Sequence, residues 1–168
     1  MELLEKVNTL FDSALRKTVT FVMGMMLVII FVQVVARYVF HSSLTFSEEL
    51  ARYLFVWCVF LCIPVAQRMG GHMTVGVLSE RTSGLTLKVL RLSAAILTLV
   101  FMSIILKNGV TLIERTSFQI SPALQIKMSY VYYALPIGAI AMILNTIEDL
   151  VRIFRTPASE TKPELSVD

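Results

Sequence analysis

The sequence has few charged residues for its length. Asp, Glu, Lys and Arg make up 16% of its 168 residues, whereas hydrophobic residues make up 56%. The mean hydropathy is +0.75. Because a soluble domain usually carries about a quarter charged residues, this composition excludes an ordinary soluble domain and indicates a membrane protein.

The sequence also has only two cysteines and two histidines. Cys58 and Cys62 are too few for a disulfide framework, and a membrane thiol oxidoreductase would need a second pair to pass electrons on. His41 and His72 fall on opposite faces of the topology predicted below, so they do not suit the two axial positions of one haem. The sequence lacks motifs for metal ligation, nucleophilic catalysis and phosphate binding. We therefore predict a protein that is not an enzyme, with no catalytic residues, no metal site and no cofactor.

What the sequence does have is long stretches without any charged residue. Four such windows cover residues 18–36, 53–67, 92–106 and 128–147. A helix needs about 20 mostly apolar residues to cross a hydrocarbon core of ~30 Å. The first and last windows meet this length unaided. The two middle windows meet it only if flanking basic side chains extend to the interfaces.

These windows predict an all-α membrane protein with four transmembrane helices in one membrane domain over residues 18–155. The predicted spans are about 18–40, 48–68, 85–107 and 128–149. Residues 108–118 keep a helical pattern, so the third helix is expected to continue past its span. The basic residues that flank the two middle windows are expected at interfaces or lipid headgroups; they are Arg52, Arg68, Lys88 and Arg91.

The two ends of the chain differ from the spans. Residues 1–17 place apolar side chains on one side of a helix and charged ones on the other, which predicts an amphipathic helix in the membrane interface. The alternative is a frayed, solvated N-terminus. The first apolar segment lacks the features of a cleaved signal peptide and is expected to remain as the first span. Residues 156–168 predict a flexible tail.

The distribution of lysine and arginine predicts the orientation. Ten of the fifteen fall in the N-terminal segment, the second connection and the tail, and five fall on the other side. Because basic residues favour the cytoplasmic side, both termini are expected in the cytoplasm. Residues 37–52 then lie at the outer face, and Arg68 and His72 lie at the inner face.

The start of the second helix allows two interpretations. Thr45 and Glu48 fit a capping box, in which each side chain bonds a free end amide. Alternatively, Ser47 is the N-cap, which places Glu48 and Glu49 in the first turn near the positive end of the helix dipole.

The second helix also predicts local ion pairs and a kink. Glu48 and Glu49 stand four and three residues before Arg52, a spacing that brings opposite charges together on a helix. Pro64 leaves the carbonyl of Phe60 without its helical donor and predicts a bend.

The chain is a poor candidate for a complete carrier. Carriers commonly contain inverted repeats and broken helices that meet at the membrane midplane, and the sequence shows no obvious repeat. A subunit that supports a larger transporter fits the same features better.

The polar stretch after the first span resembles the small membrane subunit of the tripartite ATP-independent periplasmic (TRAP) transporters. The matching residues are Arg37-Tyr38, the sequence SEELARYLFVW at 47–57, and the pattern Arg68-x-x-Gly71-His72-x-x-Val75. The four-span layout and the chain length match along essentially the whole protein.

The resemblance implies a three-part importer in a bacterial inner membrane. A periplasmic binding protein would capture an organic acid, such as a C4-dicarboxylate, a 2-keto acid or a sialic acid. A large multi-span subunit would move it inward with a Na⁺ gradient, and this chain would brace that subunit as a scaffold. Membrane lipids are expected as further partners and nucleic acid is not. The competing class is a self-contained four-span protein, either a small channel or a quinone- or haem-linked electron carrier.

The residues and the resemblance together predict a partner interface at the outer face. We expect Arg37, Glu48, Glu49 and Arg52 to form one polar cluster that fixes the first helical hairpin and its packing on the large subunit, with Trp57 as a buried anchor. The alternative is that these residues only cap helices and extend to the interface, without a partner contact.

Overall fold

A computed structural model describes residues 2–42, 44–68 and 85–155, and for residues 2–12, 152 and 155 it describes the backbone only. His72 and the predicted tail lie outside the described residues. Within them the chain forms five helices: α1 Glu2–Tyr38, α2 Thr45–Arg68, α3 Leu85–Thr116, α4 Ser129–Tyr132 and α5 Ala134–Arg155. These residues form no β-strand; their one β contact is an isolated antiparallel bridge between Ile120 and Lys127.

Four helical segments are long and apolar enough to cross a membrane. They are α1, α2, α3, and the unit of α4 and α5, which is continuous in hydropathy from Ser129 to Val151. This confirms the prediction of an all-α chain with four membrane-spanning helices.

The N-terminal segment is part of the first spanning helix. We predicted residues 1–17 as a unit of their own, but α1 is a single helix of 37 residues. No proline interrupts it, so the helical hydrogen bonds continue from the amphipathic part into the apolar part. At about 1.5 Å per residue, α1 is roughly 55 Å long and exceeds a hydrocarbon core of ~30 Å. The position of residues 2–17 in the interface stays a prediction.

The third helix continues beyond its predicted span, as the helical pattern after residue 107 indicated. It ends at Thr116, after 32 residues. The connection to α4 then turns back on itself. The Ser121 amide donates to the Ile126 carbonyl at 2.9 Å, and the Met128 amide donates to the Gln119 carbonyl at 3.0 Å.

The helices pack in the spatial order α1, α2, α5, α3. Each packs against the next one in that order, and in the described part of the chain α1 and α3 do not pack together. Leu15 of α1, Leu61 and Val65 of α2, and Ala141 of α5 form a buried cluster. The two end helices α1 and α3 therefore bury few of their residues, 6% of the membrane-spanning window in each case.

α2 and α5 approach each other closely at Gly138. A Cβ atom at this position would lie 2.5 Å from the carbonyl oxygen of Phe60. That carbonyl is the one that Pro64, which has no N–H, leaves without a helical donor. The backbone of α2 thus meets α5 where α5 has no side chain.

Candidate functional site

Two polar regions join the helices, one at each end of α2. We call them the Arg37 end, where α1 ends and α2 begins, and the Arg68 end, where α2 ends. Between Glu48 and Arg68 lie 20 residue steps of helix, or about 30 Å. This matches the hydrocarbon thickness of a bilayer, so the two polar regions suit its two faces.

At the Arg37 end, an ion pair joins α1 to α2. Arg37 Nη2 donates to Glu48 Oε1 at 2.5 Å. The side chains of Arg37 and Glu48 are 53% and 35% exposed. This contact confirms that the two residues meet, and it fixes the end of α1 against the first turn of α2.

Glu49 is oriented toward a different part of the chain. Glu49 is a buried residue, with 7% exposure, and its Oε2 accepts from the backbone amides of Ala123 and Leu124, both at 2.9 Å. Oε1 accepts from the Tyr53 hydroxyl at 2.5 Å. One carboxylate therefore ties the connection between α3 and α4 to the start of α2.

The hydroxyl group of Ser121 in the same connection is buried and makes no hydrogen bond with the described residues. Beside it, α2 and the connection border an open cavity of about 240 Å³. Its lining residues are Thr45, Glu49, Arg52, Tyr53, Pro122, Ala123 and Met128.

Arg52 does not form the ion pairs predicted for it. Its Nε donates to the backbone carbonyl of Glu48 at 3.4 Å, and the side chain is exposed. The two glutamates are already engaged elsewhere, Glu48 by Arg37 and Glu49 by backbone amides. The predicted four-residue cluster is therefore divided into two separate contacts.

Neither predicted cap describes the start of α2. The helix begins at Thr45, so Ser47 lies inside it, and its hydroxyl donates to the Leu44 carbonyl at 2.7 Å. Among the described residues, Thr45 and Glu48 do not form the two bonds of a capping box. The carboxylates that would satisfy amides of their own helix bind other segments instead.

At the Arg68 end, the last turn of α2 binds polar residues of α5. Arg68 Nη2 donates to Glu148 Oε2 at 2.5 Å, and Nε donates to Asn145 Oδ1 at 3.0 Å. The Asn145 amide nitrogen donates to the Pro64 carbonyl at 3.0 Å. The Arg68 and Glu148 side chains are 19% and 31% exposed, so this ion pair is less exposed than the one at the Arg37 end.

Gln67 extends this polar region into the helix contact. Its Nε2 lies 3.2 Å from Thr146 Oγ1 and 3.1 Å from Asp149 Oδ2, and it donates to both. Its Oε1 is buried and has no hydrogen-bond partner in the described part of the chain.

The remaining predicted site residues are half-buried. Trp57 packs against the buried cluster around Leu61. It is only partly buried, whereas a fully buried anchor was predicted. Lys88 and Arg91 lie in the first two turns of α3 and are partly exposed.

The residues of α5 that bind α2 were not among the site residues predicted from the sequence. Asn145, Glu148 and Asp149 recur at helical spacing in an otherwise apolar segment, and this was the signal that could have identified them. Gly138 carried no such signal, because only the register of α2 against α5 shows what it meets.

The comparisons with known proteins concern most of the chain. Residues 26–156 match the family model described as tripartite ATP-independent periplasmic transporters, DctQ component. A putative TRAP transporter small permease protein of Haemophilus influenzae is 26% identical over 150 residues, which cover 89% of this chain and 91% of that protein.

Two further relatives are much longer than this chain. The sialic acid TRAP transporter permease protein SiaT of Haemophilus influenzae is 31% identical over 131 residues, which cover 78% of this chain but only 21% of SiaT. The isethionate TRAP transporter permease protein DctMQ of Oleidesulfovibrio alaskensis is 29% identical over 144 residues, which cover 77% of this chain and 22% of DctMQ. With its four membrane-spanning helices and a family match from the first span to the end of α5, the chain belongs to the DctQ family of TRAP transporter small permease subunits.

Proposed function

We propose that this chain is the small scaffold subunit of a Na⁺-coupled TRAP transporter that imports an organic acid. It lies in the bacterial inner membrane with both termini in the cytoplasm, and it braces a large transport subunit. The observation that carries the proposal is that the same unit occurs in relatives of very different length. The matching unit makes up most of a small permease protein, and it also makes up about a fifth of two long permease proteins.

The long relatives support a large membrane partner. In SiaT and DctMQ, the unit that matches this chain is covalently joined to a polypeptide several times its length. A separate small chain of the same family would need a non-covalent interface in place of that peptide link. Transmembrane helices associate through packing and interhelical hydrogen bonds, so the interface requires exposed helix faces.

The end helices provide such faces. Phe21 and Phe31 of α1 are 71% and 68% exposed, and Leu97 of α3 is 72% exposed. Exposed apolar surfaces of this kind can contact lipid or a membrane-embedded partner. Because α1 and α3 are at the two ends of the row of helices, both contacts can be made at the same time.

The internal contacts support a bracing role. Polar side chains at both ends of α2 bind other helices of the same chain, so they hold the four spans in a fixed arrangement. We propose that Arg37, Glu48, Glu49, Arg52 and Trp57 contribute to the partner interface by fixing the outer end of this arrangement. Arg68, His72, Lys88 and Arg91 face the inner interface, where they contact lipid headgroups or the partner.

The substrate class is an organic anion. Two relatives are named for sialic acid and isethionate, which are a carboxylate and a sulfonate. We propose that a periplasmic binding protein delivers the anion, and that substrate and Na⁺ bind to the large subunit and not to this chain.

The test is affinity purification of the tagged full chain from its native membrane in mild detergent, with quantitative mass spectrometry of the partners. The expected result is a much larger multi-span protein at a fixed ratio. Proteoliposomes that contain both chains, with the periplasmic binding protein added outside, should take up the substrate only with an inward Na⁺ gradient.

The opposite result would be a chain that purifies alone or only with itself. If such a preparation showed a haem absorption band or conducted ions in liposomes, the self-contained electron carrier or channel would replace the present proposal.

A further inference from the structure

The exposed side of α3 carries a polar stripe. Ala95 and Gly109 are buried on the side of α3 that packs on the rest of the chain, and each residue advances a helix by about 100°. Lys107 is therefore about 160° around the helix from Gly109. It is exposed, as are Ser103 and Glu114 on the same side. This polar side points away from the other helices in the described part of the chain.

The register against α5 places Lys107 deep in the membrane. A Cβ atom at Gly109 would lie 3.3 Å from Leu135 Cβ and 3.4 Å from Pro136 Cδ. Leu135 and Pro136 are near the middle of the stretch 128–147, which has no charged residue. Lys107 is two residues from Gly109, or about 3 Å along the helix axis. A cation thus lies beside the centre of an apolar span.

Lys107 is the last residue of the predicted third span, 85–107, and is one of the five basic residues that the charge distribution assigns to the outer side. The register against α5 changes this position, and α3 continues beyond Lys107 for the nine further residues, about 13 Å, that lead to Thr116. Side chains on a helix tilt toward its N-terminus, so the Lys107 side chain tilts away from the nearer end of α3. Extension of the ammonium to the headgroups at that end is therefore unfavourable.

Lys107 forms no ion pair or side-chain hydrogen bond with the described residues. The hydroxyl groups on either side donate within α3: Ser103 to the Leu99 carbonyl at 2.7 Å, and Thr111 to the Lys107 carbonyl at 3.1 Å. A charged group at this depth is costly without a partner, and lipid tails provide no acceptor.

We propose that the Lys107 face of α3, defined by Ser103, Lys107 and Thr111, binds a transmembrane segment of the large subunit that places a carboxylate against the Lys107 ammonium. This rests on the proposed function, and it specifies the surface and the chemistry of the partner group. The positive charge selects an acidic residue on the partner. A second copy of this chain is a poorer fit, because a symmetric contact through this face would bring two lysines together.

The experiment compares three variants of the full tagged chain, purified in mild detergent from membranes that contain the large subunit. Lys107→Met removes the charge and keeps the side-chain length, and Lys107→Glu reverses the charge. Lys127→Met is the matched control, because Lys127 is an exposed lysine in the connection between α3 and α4. The ratio of large subunit to tagged chain is measured by quantitative mass spectrometry, and circular dichroism checks that each variant is folded.

The expected result is a loss of the large subunit of about three- to twentyfold for Lys107→Met, as for a single polar contact between transmembrane helices. Lys107→Glu should lose more, and Lys127→Met should retain the ratio of the unchanged chain. An Asp or Glu to Lys substitution in a membrane span of the large subunit should restore binding to the Lys107→Glu chain.

Two outcomes would overturn the inference. If the unchanged chain retains the large subunit and both Lys107 variants do so equally, the Lys107 face is not the interface and the proposed function stands. If Lys107→Met keeps the large subunit but loses a co-purifying anionic phospholipid, the lysine binds a lipid phosphate. Failure of the unchanged chain to retain any large subunit would instead remove the proposed function itself.

Discussion

The carbonyl oxygen of Phe60 lies directly over Gly138, at a distance that leaves no room for a Cβ atom. A Cβ built on Gly138 would be 2.5 Å from that oxygen and 3.1 Å from the carbonyl carbon. Because both neighbours are backbone atoms, a side-chain rotation cannot relieve the contact. The separation of α2 and α5 is therefore set by the absence of a side chain at one position.

Gly138→Ala should destabilise the fold by forcing α2 and α5 apart. Overpacking of a filled contact costs about 1–3 kcal/mol, and the cost here falls at the high end because backbone would have to move. The measurement is the unfolding midpoint of the purified chain in detergent. Gly24→Ala is the control, since a Cβ at Gly24 meets no atom within 4 Å; it should be neutral or stabilising by up to about 1 kcal/mol. Equal midpoints for the two variants would contradict the register of α2 against α5.

Glu49→Gln should loosen the connection between α3 and α4. The amide group cannot accept from two backbone amides and the Tyr53 hydroxyl at once, because one of its two polar atoms is a donor. Hydrogen bonds to a charged group contribute about 1.5–3 kcal/mol. The expected result is faster hydrogen exchange at the Ala123 and Leu124 amides.

Glu48→Gln is the matched control for this substitution. Glu48 is in the same turn and pairs with Arg37, but both side chains are partly exposed, and such pairs contribute about 0–1 kcal/mol. The exchange of the Ala123 and Leu124 amides should not change. If both glutamines accelerate it alike, Glu49 does not have the specific role described.

The ion pair at the Arg68 end should be stronger than the one at the Arg37 end. The Arg68 and Glu148 side chains are the less exposed, and charges interact more strongly where solvent screens them less. Double-mutant cycles with alanine, read from unfolding in detergent, should give a coupling energy of about 1–2 kcal/mol for Arg68–Glu148 and below about 1 kcal/mol for Arg37–Glu48. The reverse order would contradict the view that lower exposure strengthens the Arg68–Glu148 pair.

Arg52→Ala should leave the stability of the chain nearly unchanged but weaken its binding to the large subunit. Arg52 is exposed, and among the described residues it donates only to the Glu48 backbone carbonyl, at 3.4 Å, so its loss removes little from the fold. Co-purification of the large subunit should fall relative to Glu80→Ala, a charge removal in the second connection. Equal recovery with the two variants would remove Arg52 from the interface.

The orientation of the chain can be tested by single cysteines in a variant that lacks Cys58 and Cys62. A cysteine at Ser42, between α1 and α2, should react in intact spheroplasts with a thiol reagent that does not cross the membrane. A cysteine at Ser159 in the tail should react only after the membrane is opened, because the positive-inside rule places both termini in the cytoplasm. The opposite pattern would invert the topology and exchange the faces assigned to Arg37 and Arg68.

Much of the fold follows from local features that the sequence displays directly. The four spans were predicted because charged side chains are too costly in hydrocarbon to be scattered at random. The continuation of α3 past residue 107 was predicted from its helical pattern. The separate N-terminal helix was the main departure, because an amphipathic segment and an apolar segment look different in composition although no residue breaks the helix between them.

The site was predicted less well, for a physical reason. Spacing along one helix predicts which side chains are neighbours on that helix, and on this basis Arg52 was expected to pair with Glu48 and Glu49. The carboxylates instead bind groups that are distant in sequence, Arg37 in one case and the Ala123 and Leu124 amides in the other. An acceptor binds the donors that the tertiary fold brings closest, and spacing within one helix carries no information about them.

The sequence by itself determined that this is an all-α membrane protein, how many spans it has, and which family its polar stretch resembles. Each of these depends on composition and on the order of residues within short stretches of the chain. Only the tertiary structure decided the spatial order of the helices, the contact of Phe60 with Gly138, and the position of Lys107 relative to Leu135 and Pro136 of α5. These depend on the register between helices, which is set by close packing of surfaces far apart in the chain. A lysine at the end of a charge-free window is expected to mark the end of a span. Its position close to Leu135 and Pro136, near the middle of the charge-free stretch 128–147, is evident only when the two helices are packed together.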